Sequence, residues 1–266
     1  MALTMASHRT FALLALALTG CSQGRLDVVG LAPDMVAHWP CDEGSDSKLL
    51  DHSINKYDGT IDGATWIPDG RFGGALHFNS GNSVFVPSFP QATKSWSLSL
   101  WVRPSAWAFP ADSGINYYIT LISTEIAFMS GWEMNAHLPP AQPPNNYRAW
   151  EYHFAYPKGG DAGGNPYKYY DCDCVDANQW THLVAVVDSA AMQMSFYKNG
   201  ELQGAQAITD LIQPQVTGYS PLYMGTWSLG GRNFVGDLDD IVIYGRALTA
   251  AEVVSLYTQP APSVPR

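Results

Sequence analysis

The sequence predicts an all-β sandwich of two antiparallel sheets with one short C-terminal helix. Three observations carry this expectation. Apolar and polar residues alternate at period two along most of the body, the pattern of half-buried strands. Turn formers punctuate nearly every gap between those stretches, drawing on 24 Gly and 18 Pro. The acids are 18 Asp against 6 Glu, and 9 Trp, 14 Tyr and 10 Phe favour strands and turns over amphipathic helices.

In chain order, residues 1–20 come first. Phe11 to Leu18 is an unbroken apolar run preceded by Arg9 and followed by Thr19-Gly20-Cys21. Such a run is too short to span a bilayer and has the anatomy of a signal peptide. Leu18-Thr19-Gly20-Cys21 resembles a bacterial lipobox, which implies cleavage before Cys21 and attachment of a diacylglycerol to its thiol. An ordinary secretory signal with an incidental Cys is the alternative. The expected product is exported and lipid-anchored to the bacterial cell envelope, at the outer membrane or cell surface, touching the membrane through that lipid only. Residues 21–33 read as a tether, 34–258 as the folded domain and 259–266 as a Pro-rich tail.

Within the domain, strands are expected at Met35 to Trp39, Ala75 to Asn79, Val84 to Pro87, Trp96 to Arg103, Tyr117 to Ser123, Phe128 to Asn135 and Trp150 to Tyr156. Further strands are expected at His182 to Asp188, Met192 to Lys198, Leu222 to Thr226 and Phe234 to Tyr244. In Trp96 to Arg103, the residues Trp96, Leu98, Leu100 and Val102 share one face, and Ser97, Ser99, Trp101 and Arg103 the other. Asn199-Gly200 between two such stretches signals a hairpin whose turn needs positive φ at both positions. Thr249-Ala250-Ala251-Glu252 is a capping box ahead of Val253, Val254, Leu256 and Tyr257, and it predicts the helix. Residues 104–179 hold few strand signals over a long stretch, so long loops are expected there, where binding sites concentrate.

The charge balance of 14 Lys+Arg against 24 Asp+Glu gives -10, with no basic run interleaved with aromatics. No surface tracks a phosphate backbone, so nucleic acid is not an expected partner.

The order of several motifs is similar to that of a known superfamily. His38-Trp39-Pro40-Cys41-Asp42-Glu43-Gly44, then Gly70-Arg71-Phe72-Gly73-Gly74-Ala75-Leu76, then Ser97 to Pro104 occur in sequence. Gln179-Trp180-Thr181-His182 opens a strand pair leading to Asn199-Gly200, and Phe234 to Thr249 closes the series. The chain resembles the laminin-G-like, concanavalin A-like lectin/glucanase jelly rolls over roughly residues 34–258. Cys41 departs from the usual aromatic residue, and residues 104–179 match nothing firmly.

Oxygen-bearing side chains recur in Asp51-x-Ser53-x-Asn55-x-x-Asp58-Gly59, an arrangement a Ca²⁺ ion can use. The resemblance implies a structural Ca²⁺ there, held by Asp51, Asn55 and Asp239 with backbone carbonyls. The alternative is an Asx-turn network in which Asp51 and Asn55 cap backbone amides. Besides Cys21, the thiols are Cys41, Cys172 and Cys174. Either Cys41 forms a disulfide with one of the other two, or Cys172 and Cys174 pair with each other. Zinc is disfavoured, because no CxxC spacing is present.

The superfamily includes glycan hydrolases and lyases, but the chain lacks the Glu-x-Asp-x-x-Glu run that places two carboxylates on one strand face. Only Glu133 and Glu151, with His153, form a candidate acid–base set, and the chain is read as a non-enzyme. Sugar recognition by aromatic faces and hydroxyl-reading polar groups fits better. Trp132, Glu133, Trp150, Tyr152 and His153 are the candidate ligand-binding residues, with core packing as the alternative for each Trp. The expected function is recognition of a polysaccharide or glycoconjugate without catalysis. An adhesive or structural module that binds an envelope or extracellular protein is the second reading, and a glycan-active enzyme the third.

Overall fold

The structure, a computed structural model, describes residues 34–91, 94–105, 118–124, 131–137, 149–155, 167–168, 171–173, 177–208 and 218–261. Of the strands and turns near the start, β1 is Met35–Trp39, β2 Lys48–Leu49, β3 Gly59–Asp62, β4 Thr65–Ile67, β5 Ala75–Phe78 and β6 Ser83–Pro90. The middle of the chain gives β7 (Trp96–Pro104), β8 (Tyr118–Ser123), β9 (Trp132–His137), β10 (Ala149–Ala155), β11 (Tyr167–Lys168) and β12 (Asp171–Asp173). The last strands are β13 (Thr181–Asp188), β14 (Gln193–Lys198), β15 (Glu201–Ala207), β16 (Tyr219–Met224) and β17 (Gly236–Tyr244), followed by helix α1 (Ala250–Thr258).

Among the described residues these strands form two antiparallel sheets. The first runs β15-β14-β13-β7-β17-β5-β4, with β1 also on β17; the second runs β11-β10-β9-β8-β16-β6-β3-β2, with β12 also on β10. The expected two-sheet sandwich with one short helix is therefore the observed fold. The described strands between β7 and β13, β8 to β12, lie in the stretch without firm family resemblance and build one end of the second sheet.

The period-two reading of β7 holds. Trp96, Leu98, Leu100 and Val102 lie in the core between the sheets, with Leu76, Phe78, Leu183, Ala185, Phe196 and Leu238 from their own sheet. Val84, Val86, Leu121, Ile122, Met134 and Leu222 face them from the second sheet. The opposite face of β7 is also buried: Ser97, Ser99 and Trp101 are each under 3% exposed. Helix α1 covers that face. Val253 and Leu256 pack with Val184, Val186, Val242, Tyr244 and Leu248 in a second apolar cluster, and Tyr257 stacks on Trp101 at 5.6 Å. Thr249 caps α1 through the expected capping box.

Asn199 and Gly200 have φ of 50° and 82°, which joins β14 to β15 through the expected two-residue turn. At the start of β17, Gly236 has φ 147°, and a Cβ there would stand 2.5 Å from the Arg103 carbonyl oxygen. Only glycine lets β17 approach β7 so closely. Short strands β2, β3 and β4 were not expected, because two to four residues carry too little periodicity to read. The expected start of a strand at Phe128 lies outside the described residues.

Candidate ligand-binding face of the second sheet

Strand β9 reads Trp-Glu-Met-Asn-Ala-His, and the pleat sends its residues to opposite faces. Trp132, Met134 and Ala136 enter the core. Trp132 is 3% exposed and packs on Trp96 with ring centroids 4.7 Å apart. This corrects the expectation that Trp132 and Glu133 share a ligand-binding face: neighbours on a strand cannot, and the core takes the tryptophan.

Glu133 and Asn135 lie on the outer face of the second sheet, both fully buried. Thr120 of β8 donates its hydroxyl to Glu133 Oε1. Arg232, in the turn before β17, donates from Nη1 to Glu133 Oε2 at 2.8 Å. The Arg232 carbonyl accepts the Thr120 N–H at 2.8 Å, which ties that turn to β8. The guanidinium also lies 4.2 Å from the centre of the Trp227 ring. Both carboxylate oxygens of Glu133 are thus engaged in a buried ion pair, as a charge at this depth requires.

Asn135 differs. Among the described residues, neither Oδ1 nor Nδ2 of its amide has a hydrogen-bond partner, although both atoms are buried. Leaving such a group unpaired costs about 1–3 kcal/mol. Its register neighbours are Thr120 on β8 and Glu151 on β10.

Register also places the remaining candidates. His153 stands opposite Glu133, whereas Trp150 and Tyr152 stand opposite the core residues Ala136 and Met134. The side chains of Trp150, Glu151, Tyr152 and His153 lie outside the described residues. On the other side of Glu133 the same row continues through Ser123, Tyr223, Phe85 and Thr60. Phe85 is 36% exposed, and its ring centroid lies 5.2 Å from that of Tyr223. This aromatic pair, together with Arg232 and Asn135, was missed in the sequence. The pleat alone could have placed Asn135 beside Glu133, but only strand pairing brings Phe85, Tyr223 and Arg232 to them.

The acidic loop near β1 is built as the amide-capping network. Asp51 Oδ1 accepts from the His38 and Ser53 N–H groups at 2.9 and 2.7 Å. Its Oδ2 accepts from Ser53 Oγ at 2.8 Å and the Tyr57 N–H at 2.7 Å. Asn55 donates its side-chain amide to the Val36 carbonyl at 2.9 Å. Asp239 instead binds the turn before β5, accepting the Arg71 and Phe72 N–H groups at 2.6 and 2.9 Å on Oδ2. Its Oδ1 is buried without a partner among the described residues, and burial pushes its carboxyl up to about 7. Among the described residues no three His, Cys, Asp or Glu side chains gather as metal ligands. A Ca²⁺ shell from Asp51, Asn55 and Asp239 does not fit this arrangement, because donors already occupy Asp51.

Cys41 is a free, buried thiol whose Sγ–H points to the Trp39 carbonyl at 3.6 Å. Burial first, then the charges of Asp239 and Glu43, push it well above the usual thiol range, so it is a poor nucleophile. Cys21, Cys174 and the side chain of Cys172 lie outside the described residues.

A family model for laminin-G-like domains of the concanavalin A-like lectin/glucanases superfamily matches residues 78–254. No curated protein matches the chain. Among solved structures, the binding domain of botulinum neurotoxin serotype D is similar with a TM-score of 0.60 at 17% identity, over 86% of this chain and 52% of that one. The serotype D ligand-binding domain in complex with N-acetylneuraminic acid gives a TM-score of 0.60, 17% identity and the same coverage of 86% and 52%. The serotype G binding domain gives 0.58 at 19% identity, over 85% and 51%. The chain spans about half the length of these toxin domains. With two-thirds of its length matched by the family model and the two-sheet sandwich in place, the chain belongs to the concanavalin A-like lectin/glucanases superfamily.

Proposed function

We propose that this protein is a non-catalytic receptor for a polysaccharide or glycoconjugate, bound on the outer face of the second sheet around Glu133, Asn135 and Arg232. One observation carries the reading. Asn135 holds a buried donor and a buried acceptor without partners among the described residues, and a sugar hydroxyl that reaches the amide supplies both complements at once. Phe85 and Tyr223 offer an apolar platform in the same row for a pyranose face. Glu133 is committed to Arg232 and Thr120, an arrangement that fixes the site rather than delivering a proton. A protein of the same fold has been solved with N-acetylneuraminic acid, which supports a glycan as the class of partner. Export and anchoring through Cys21 would present this face at the cell envelope.

The test is Asn135→Leu, screened on a glycan array and by thermal melting. An unpaired amide replaced by an apolar group of similar size raises stability by about 1–2 kcal/mol, while glycan binding falls at least about tenfold. Unchanged glycan binding by a more stable variant would sink the proposal. A silent array with an envelope protein captured by the wild type would instead favour the adhesive reading. Labelling of the cells with a radioactive fatty acid, compared with Cys21→Ala, tests the anchor.

A further inference from the structure

Beside the turn that joins β13 to β14, a cleft of about 210 Å³ opens between the two sheets. Its walls are Val36 of β1, Phe89 of β6, Trp96 of β7, Trp132 of β9 and Ile243 of β17. The indoles of Trp96 and Trp132, tilted 40° to one another, form one side. An apolar cavity of roughly 150 Å³ already holds a benzene ring in a protein interior. This one is therefore large enough for a single ring and a short substituent.

The charge at the mouth narrows the ligand further. Among the described residues, the lining contains one cation, the exposed Lys94, and no carboxylate. Two other polar rim groups are already engaged: Gln91 donates to Ser220 Oγ, and Ser95 Oγ sits 2.8 Å from Ser189 Oγ. Asp34, whose carbonyl receives the Gly245 N–H at the cleft edge, holds its carboxylate on Arg246 Nε at 2.8 Å. In a chain of net charge -10, an opening framed by a lysine with no acid among the described residues favours an anion over a cation. The ion pair of a bound anion with Lys94 would be exposed and therefore worth little by itself. Affinity comes from the apolar walls and sign preference from the lysine.

We propose that this cleft is a second ligand site, separate from the Glu133 face, for a small aromatic carboxylate that inserts its ring between Trp96 and Phe89 and leaves its carboxylate at Lys94. Phenylacetate, phenethylamine and benzyl alcohol serve as probes of one ring size and different charge, titrated into the whole chain by calorimetry and ligand-detected NMR. Phenylacetate is expected to bind saturably and about threefold or more tighter than phenethylamine. Lys94→Glu, a surface change that spares the core, is expected to invert that order and leave benzyl alcohol unchanged. Val36→Phe fills the cleft from the half-buried wall and should weaken all three about tenfold or more. Asn135→Leu should leave phenylacetate binding as in the wild type, so this site and the glycan face fail or stand separately. Absence of saturable phenylacetate binding, or the same order of the charged probes before and after Lys94→Glu, would overturn the proposal.

Discussion

On the first sheet, α1 lays Val253 and Leu256 over Val184, Val242 and Tyr244, and the outer face becomes a second apolar core. On the second sheet, the buried part of the outer face holds an ion pair, Glu133 with Arg232, beside an amide that has no partner among the described residues. Both places are buried, the first mostly among apolar side chains and the second around a charged pair. A fold gains stability from the first arrangement. The second costs stability unless something else completes it, which is why the ligand site is proposed there.

The largest effect expected from breaking this contrast is at Arg232. Arg232→Met leaves Glu133 buried and uncompensated, at a cost of about 3–5 kcal/mol in chemical denaturation. Replacing Glu133 by Gln in the same chain should recover most of that loss. If the single variant loses less than about 1 kcal/mol, the ion pair is not the buried unit described here. On the covered face, Leu256→Ala should cost about 3 kcal/mol through its cavity. Glycan affinity of the remaining folded protein should not change, since α1 and β9 lie on opposite outer faces of the sandwich. An affinity loss comparable to that of Asn135→Leu would erase the distinction between the two faces.

The first sheet has buried polar atoms of its own, among them Oδ1 of Asp239, and titration distinguishes that carboxyl from Asn135. Burial raises the Asp239 carboxyl to about 7, above the unfolded value near ~3.9. Its protonated form therefore favours the fold fully below about pH 4, and that contribution is lost as pH rises through about 7. His182, stacked on Trp101 and driven down to about 3 by burial and then by Arg71, works the other way. Its contribution is present above pH ~6.5 and is lost as pH falls through about 3. Asp239→Asn removes only the first dependence. Stability measured from pH 4 to pH 8 should fall by about 2–3 kcal/mol less in this variant than in the wild type. Equal slopes would mean that Asp239 titrates as an ordinary carboxyl.

The contrast also explains what could be read from the sequence. The inner face of β7, the Asn199-Gly200 turn and the capping box are local patterns, and each was legible. Trp101 was placed correctly on the outer face by alternation. Its burial was not legible, because it depends on Tyr257, which is distant in sequence. Trp132 was drawn into the site by composition, although the same alternation puts it in the core once Glu133 is placed outside. Phe85, Tyr223 and Arg232 reach the Glu133 row only through the pairing of β6, β16, β8 and β9, a register that no local pattern encodes. The Asp51 loop showed the oxygens a cation needs and equally those that amides need. Local backbone geometry decided for the amides.

The smallest expected effect probes how the helical cover is held. Thr249 Oγ1 accepts the Glu252 N–H at 3.3 Å, and Glu252 Oε2 accepts the Thr249 N–H at 2.8 Å. Arg246 grips the same Glu252 carboxylate at 2.7 and 2.9 Å and lowers it to about 2. The Glu252 contribution thus persists above pH ~4.3 and is lost only as pH falls through about 2. Thr249→Ala deletes one of the two reciprocal cap bonds and should cost about 1 kcal/mol. The loss should be local, because the remaining bonds still seat the first turn. Hydrogen exchange should therefore quicken at Val253 and Val254, while the β9 amides exchange as before. If β9 quickens in step with α1, the two outer faces open together, and stability of the cover would then limit ligand binding on the far side.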